Sequence, residues 1–368
     1  MQDVYPTFVD PGLYMFWFHG ILGKDRLEEK SASFHFRRYP MSFAQKLRAV
    51  RTVLIAKTRN KQYYYRLYPS YRYAIKHPAA GNKNTDHVNY LAARPNPDSG
   101  IGHQMANWIA GYYFAQVLGL NFAHMPFSSP KWENFLGFGE GEITLEDLVK
   151  RKHFKKVRIP HFNEANEAEM TAIREIVDAY ADQRVVFLCE QDQFYKAQFG
   201  VMEDLQRKFY SASARRDDHL IYRPDEFHIA VHVRRGDIVI GQTNQDPGLT
   251  KRWQDNSYFL RVLEQALSLP QLPEDKPAAV YLFSQGEEKD FPEFSAIPNL
   301  HYCLDMGPVD SFLHMVNADL LITSKSSFSY KPALLNKGLK ICPQNFWHGY
   351  PEDPSWILAD DTGTLLSR

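Results

Sequence analysis

Short apolar, β-favouring segments alternate along this chain with helical segments of roughly 10–15 residues, and that alternation constrains the fold more than any other feature. In the second half it reads strand 228–234, helix 256–268, strands 278–284 and 300–304, helix 309–317, strand 319–323, helix 328–336 and strand 339–343. The first half gives strand 88–93, helix 104–118, strand 121–124, helix 164–180, strand 184–189 and helix 201–210. Thr144-Leu145-Glu146-Asp147 opens a further helix in the manner of a capping box, with Asp where Glu or Gln is usual. Strands joined by helices pair in parallel through right-handed crossovers. A chain of 368 residues exceeds one ordinary core, and the polar, turn-rich stretch 211–227 is the expected linker between two α/β domains.

Lys plus Arg number 43 and Asp plus Glu 43, so the molecule as a whole advertises no nucleic-acid or polyanion partner. Locally the balance breaks: residues 22–76 hold 14 Lys/Arg against Asp25, Glu28 and Glu29. Within them Phe43, Leu47, Val50, Leu54 and Ala56 recur at helical spacing over 42–60, with basic residues between, and Tyr63-Tyr64-Tyr65 follows. Such a segment can lie on an anionic membrane surface, or pack on its own domain and present a solvated basic face. No RNA-binding signature accompanies it. Met1–Pro11 is polar and carries Asp3 and Asp10, so no signal peptide is expected, and the apolar run 13–22 is too short to span a bilayer. Cys189, Cys303 and Cys342 are the only cysteines, which argues against a disulfide framework and for a reducing compartment. The expected location is cytoplasmic, with peripheral membrane contact through residues 22–76; a Golgi-luminal protein trimmed of its anchor is the alternative.

Residues 228–237 read His-Ile-Ala-Val-His-Val-Arg-Arg-Gly-Asp. Ile229, Val231 and Val233 favour a strand, and the pattern breaks at Gly236, as a strand delivering a loop should. Ligands of α/β sheets bind at the carboxyl ends of strands. Two guanidiniums there need an anionic partner, because an unpaired buried charge is very costly, and their planar fork suits phosphate or carboxylate. A solvated pair with Asp237 as counter-ion is the alternative. Gly100-Ile101-Gly102 stands between a strand and a helix but is no dinucleotide fingerprint, since position 105 is Met. Its use is close backbone approach at a helix N-terminus. Ser326 and Ser327 also lie between a strand and a helix, where hydroxyls and free amides make either a phosphate nest or a plain N-cap. Asp310, after Gly307-Pro308, is placed to cap the next helix. Glu190-Gln191-Asp192 is the nearest approach to a metal-binding pair, and no metal or other cofactor is expected.

His232-Val233-Arg234-Arg235-Gly236-Asp237 resembles the His-x-Arg-Arg-x-Asp motif shared by α1,2-, α1,6- and protein O-fucosyltransferases. Ser99-Gly100-Ile101-Gly102-His103-Gln104-Met105-Ala106-Asn107 is similar to the α1,2 family's Gly-Gly-Leu-Gly-Asn-Gln-Met-Phe-Gln, with Ser99 in place of its first Gly and His103 of its Asn. Val309-Asp310-Ser311-Phe312-Leu313-His314, followed by the run from Ala318-Asp319 to Ser326-Ser327, resembles the α1,6 family's helix-opening Asp, Ala-Asp, apolar strand and Ser-Ser turn. The three occur in the family's order and cover residues 88–345.

The resemblance implies an α/β, GT-B-like fold: two Rossmann-type domains facing a cleft, preceded by a basic helical extension. The expected boundaries are 1–80 for the extension, 81–215 for the acceptor-side domain, 216–345 for the nucleotide-sugar domain, and 346–368 for a tail returning to the first domain. The implied activity is inverting, metal-independent transfer of fucose from GDP-fucose to a hydroxyl of a glycan or glycoconjugate. Alternatives are another GDP-sugar on the same scaffold, or a catalytically inactive glycan-binding homologue. Arg234 and Arg235 would neutralise the departing pyrophosphate, one clamping the β-phosphate while the other holds Asp237. His232 and Asp310 would contact guanine, and Gly100, Gly102 and His103 would line the cleft opposite the donor. Inversion calls for a base on the acceptor hydroxyl. Candidates are Asp246 and Asp255 in the loop after Asp237 and Asp98 across the cleft, with Asp246 put first, and Gln242 stands where the α1,6 family has its glutamate.

Overall fold

A computed structural model describes residues 43–61, 63–78, 88–96, 99–190, 197–236, 238–239, 250–304 and 306–366. The chain divides into two units, Met1–Leu67 and Tyr68–Arg368. In the first, α1 (Phe43–Thr58) runs through sixteen residues without Gly or Pro. The Thr58 hydroxyl turns back onto the Leu54 carbonyl at 2.6 Å and Lys57 sits in the last turn, both of which suit a helix C-terminus. Among the described residues no helix is long and apolar enough to cross a membrane.

The second unit opens with α2 (Pro69–Lys76) and β1 (Tyr90–Ala93), followed by α3 (Ile101–Val117). Then come β2 (Asn121–Ala123), α4 (Pro130–Leu136), α5 (Leu145–Lys150), β3 (Lys155–Arg158), α6 (Glu167–Ala179), β4 (Val185–Cys189) and α7 (Met202–Ser211). The four strands form a parallel sheet in the order β2-β1-β4-β3, with Leu91 opposite Phe122 and Phe187. α3 is buried on nearly every side, through Met105, Trp108, Ile109, Ala110 and Phe114. A helix apolar all round belongs between layers rather than on a surface. At Gly111 a Cβ would stand 2.2 Å from the Ala93 Cβ, so only glycine lets α3 lie this close to β1.

The other sheet is built from β5 (Phe227–His232), α8 (Asn256–Ala266), β6 (Ala278–Phe283), β7 (Leu300–Cys303), α9 (Pro308–Asn317), β8 (Leu320–Ile322), α10 (Ser327–Leu335), β9 (Leu339–Pro343) and β10 (Trp356–Ala359). Its six strands are parallel in the order β10-β9-β8-β5-β6-β7. Ile229, Val231 and Val233 join Val280, Leu282, Leu320 and Ile322 under Phe259, Val262 and Leu263 of α8. Each of these buried side chains is worth roughly 1.5–3 kcal/mol relative to exposure. The chain winds outward through β6 and β7, then returns to the far side of β5 for β8, β9 and β10. The order therefore reverses between β5 and β8, where Ile229 lies opposite Leu320.

Two parallel sheets with helical crossovers are the α/β arrangement that a GT-B-like fold requires, as the alternation implied. Three details differ from expectation. The tail does not return to the first sheet: Ile357 pairs with Ile341, so β10 extends the second sheet beside β9. α7 is tied to the second half as well, with Gln206 donating to the Leu334 carbonyl at 3.1 Å and the Tyr210 hydroxyl to Leu335 at 3.2 Å. Finally, Gly307 rather than Asp310 caps α9, and Asp310 stands in its first turn. The Thr144 cap does form, its hydroxyl accepting from the Asp147 amide at 3.0 Å and donating to that residue's carboxylate at 2.8 Å.

Candidate active site

The reversal of strand order between β5 and β8 leaves a crevice at their carboxyl ends, the place where open α/β sheets bind ligands. His232 closes β5 at that edge, buried, with Nδ1 2.7 Å from the hydroxyl of Ser324 just beyond β8. One side-chain hydrogen bond thus spans the switch point. Burial, with Arg234 and Arg235 close by, pushes the His232 imidazole down to about 3, so the ring is neutral at physiological pH. Phe328 of α10 lies against it, ring centroids 5.6 Å apart. Phe312 and the half-buried Trp132 of α4 continue this aromatic wall, with Trp132 centroids 5.5 Å from Phe312 and 6.4 Å from Phe328.

The two arginines have different surroundings. Arg234 is half-buried. Arg235 is only 7% exposed, so one of the two guanidiniums does enter the protein. Its Nη1 donates to the Arg234 carbonyl at 2.8 Å and its Nη2 to Asn256 Oδ1 at 2.6 Å, while the guanidinium lies 4.1 Å from the Trp253 ring centroid. Neutral amide oxygens and an aromatic face surround it, while Asp237, the anticipated counter-ion, lies outside the described residues. Burial lowers its pKa to about 10, with Asp255 and Glu293 pulling it back, and it stays charged at neutral pH. Asn256 is held in turn, donating to the Asp290 carbonyl at 3.0 Å and Glu293 Oε2 at 2.8 Å. Gly236 follows with φ of 66°, a left-handed turn in which glycine is unstrained.

Across the crevice the Ser-Ser turn opens α10. Ser326 caps it, its hydroxyl accepting from the Phe328 amide at 3.2 Å, and Ser327 is the first helical residue. A Cβ built on Gly102 would lie 2.8 Å from the Ser327 carbonyl carbon and oxygen and 2.9 Å from its Cβ. Only a hydrogen fits there, and the first turns of α3 and α10 meet backbone to backbone. Gly100, by contrast, caps α3 with φ of −64° and open space where a Cβ would go. His103 is half-buried one turn into α3 and, with Lys331, helps hold the buried His348 imidazole down to about 2, burial being the larger cause. Two helix N-termini, each with donor amides and a positive dipole end, thus meet at the Gly102–Ser327 contact, and α10 sets Phe328 against His232.

The geometry unites His232, Arg234, Arg235, Ser326, Ser327 and Gly102, with His103 behind them. Asp310 is exposed near the start of α9, at the same edge of the sheet but beyond β6 and β7 in chain order. Asp237, Asp246 and Asp98 lie outside the described residues. Glu190 carries ion pairs to Arg94 at 3.2 Å and Arg158 at 3.3 Å, so its carboxylate is already engaged; Asp192 lies outside the described residues. Among the described residues no group of three or more His, Cys, Asp or Glu is arranged to hold a metal ion.

No family model matches this chain, and no curated protein matches it. Solved structures do. NodZ alpha-1,6-fucosyltransferase co-crystallized with GDP is 13% identical over 76% of this chain and 98% of its own, at a TM-score of 0.42. POFUT1 in complex with GDP is 14% identical over 69% and 98%, at 0.39. Fucosyltransferase NodZ from Bradyrhizobium is 13% identical over 68% and 94%, also at 0.39.

Four residues that frame the site were given no role on the sequence alone. Ser324 orients His232, Trp253 and Asn256 seat Arg235, and His348 stands behind His103. Ser324 could have been singled out from the run Ser324-Lys325-Ser326-Ser327 after an apolar strand. Trp253 and His348 reach the site on loop paths that no local pattern encodes, and Asn256, though it opens α8, carries nothing in its local pattern that pairs it with Arg235.

Proposed function

We propose that this chain is an inverting glycosyltransferase that moves fucose from GDP-fucose to a hydroxyl of a glycan or glycoconjugate, without a metal. The observation that carries the proposal is the switch-point crevice. There a strand delivers Arg234 and Arg235 beside a neutral His232, opposite two helix N-termini brought together by Gly102 and Ser327. That assembly fits a nucleoside diphosphate leaving group, whose charge grows as the glycosidic bond breaks. In the reaction the acceptor oxygen attacks the anomeric carbon from the face opposite the leaving group. The bond to the β-phosphate oxygen breaks, GDP departs with the electron pair, and a base takes the acceptor proton. Arg234 is the cation assigned to the phosphates, with Arg235 as the fixed support of its loop. The resemblance assigns guanine to His232 and Asp310, and the neutral ring of His232 can give or accept a hydrogen bond there. Asp246 is the proposed base.

Isothermal titration with GDP and UDP tests the donor class: GDP should bind and UDP should bind far more weakly. Tighter UDP binding would sink the assignment. Hydrolysis of GDP-fucose and GDP-mannose then separates the sugars, and turnover of neither would leave a binding protein. EDTA should leave turnover intact; a loss that Mn²⁺ restores would place catalysis on a metal instead.

A further inference from the structure

The basic helix α1 carries an exposed apolar stripe. Leu47, Val50 and Leu54 are 55%, 51% and 56% exposed and recur at i, i+3 and i+7. At about 100° per residue they fall within an arc of roughly 60° on one face. Val53 and Ile55, which are half-buried, point to other sides of the same helix. Arg51 borders the stripe on one flank and the exposed Lys57 on the other. From Phe43 to Lys61 the sequence holds Lys46, Arg48, Arg51, Lys57, Arg59 and Lys61 and no Asp or Glu. Just after the helix Tyr63 and Leu67 are 50% and 52% exposed, amphipathic and apolar side chains of the kind that settle at a bilayer interface.

We propose that this face of α1 docks on an anionic lipid bilayer, the helix lying in the plane of the headgroups with Leu47, Val50 and Leu54 inserted. A protein partner would have to match one shape. A bilayer needs only an apolar stripe between cationic borders, with the charges drawn to the anionic surface and the stripe removed from water. The absence of any carboxylate from 43–61 selects an anionic surface over a neutral one. The proposal is independent of the donor assignment.

The test is co-sedimentation of the full-length protein with phosphatidylcholine vesicles prepared with and without phosphatidylserine. Binding should appear only with phosphatidylserine and weaken as salt rises. K57Q/K61Q, at two exposed positions, should lower the partition coefficient about 25-fold, about fivefold per lost charge. L47E/V50E/L54E should abolish binding while the melting temperature stays unchanged. Should that triple variant fail to fold, the K57Q/K61Q and salt series still decide. Binding indifferent to lipid charge, no binding to either vesicle, or binding unaltered in both variants overturns the proposal. So does concentration-dependent self-association of the wild type that the triple variant loses, which would assign the stripe to a second copy of the chain.

Discussion

Arg234 and Arg235 are adjacent in sequence and alike in chemistry, yet their environments give them separate tasks. Arg235 stacks on Trp253 and bonds Asn256, so Arg235→Ala should cost both stability and activity, with about 1–2 kcal/mol from the lost cation–π contact alone. Arg234→Ala should leave the melting temperature close to wild type and lower kcat/KM by about 10²–10³, roughly 2.7–4 kcal/mol of transition-state stabilisation. Thermal unfolding and steady-state kinetics on the two variants distinguish these outcomes. Turnover within about threefold of wild type for both would make the pair purely structural. Burial, helped by neighbouring cations, sets a pH dependence at two rings nearby. His232 and His348 are held at about 3 and about 2, against an ordinary value near 6.5. Below that ordinary value the unfolded chain takes up protons that the folded rings refuse. Stability is therefore complete above about pH 6.5 and falls as the pH drops toward 3, by up to about 1.4 kcal/mol per pH unit for each ring. His232→Asn should flatten that slope in denaturant titrations run across pH; an unchanged slope would mean the ring is protonated in the fold.

At the scale of elements, the approach of α3 to α10 distinguishes two glycines that look equivalent in the sequence. Gly102→Ala places a methyl against the Ser327 backbone and should force the helices apart, costing about 1–3 kcal/mol and weakening GDP binding in parallel. Gly100→Ala meets open space at an ordinary φ and should cost no more than about 1 kcal/mol. Calorimetry and GDP titration on the pair check this; equal effects would mean that the close approach does not exist. The long apolar elements were legible because their periodicity is strong: β9 spans 339–343 as the sequence implied, and β5 and α10 are displaced by only a residue or two. β3 was not, since Lys155-Lys156-Val157-Arg158 is a mostly exposed edge strand with no apolar alternation to report it. α4 escaped notice too, being a short helix whose Trp132 and Phe135 face other elements rather than a periodic stripe.

Across the whole second unit, both sheets fold as one body joined by aromatic packing. Trp132, carried beside the first sheet, bridges Phe312 and Phe328 of the second half. Trp132→Ala should lower stability by about 2–4 kcal/mol, seen as a lower melting temperature in calorimetry. A loss below about 0.5 kcal/mol would remove it from the joint. The amino-acid sequence alone determined the class of fold, because alternating periods of two and 3.6 residues leave parallel sheets with helical crossovers as the stable burial scheme. It also determined that arginines would arrive at a strand end, since β5 runs straight into them. Only the tertiary structure decided which strand neighbours β5, and so where the crevice lies, because strand order depends on contacts far apart in sequence. It also decided which arginine is buried: Trp253 and Asn256 are remote along the chain, and no local pattern records the cage they build. The assignment of β10 to the second sheet has the same origin, for a four-residue edge strand takes its place from the strand it pairs with.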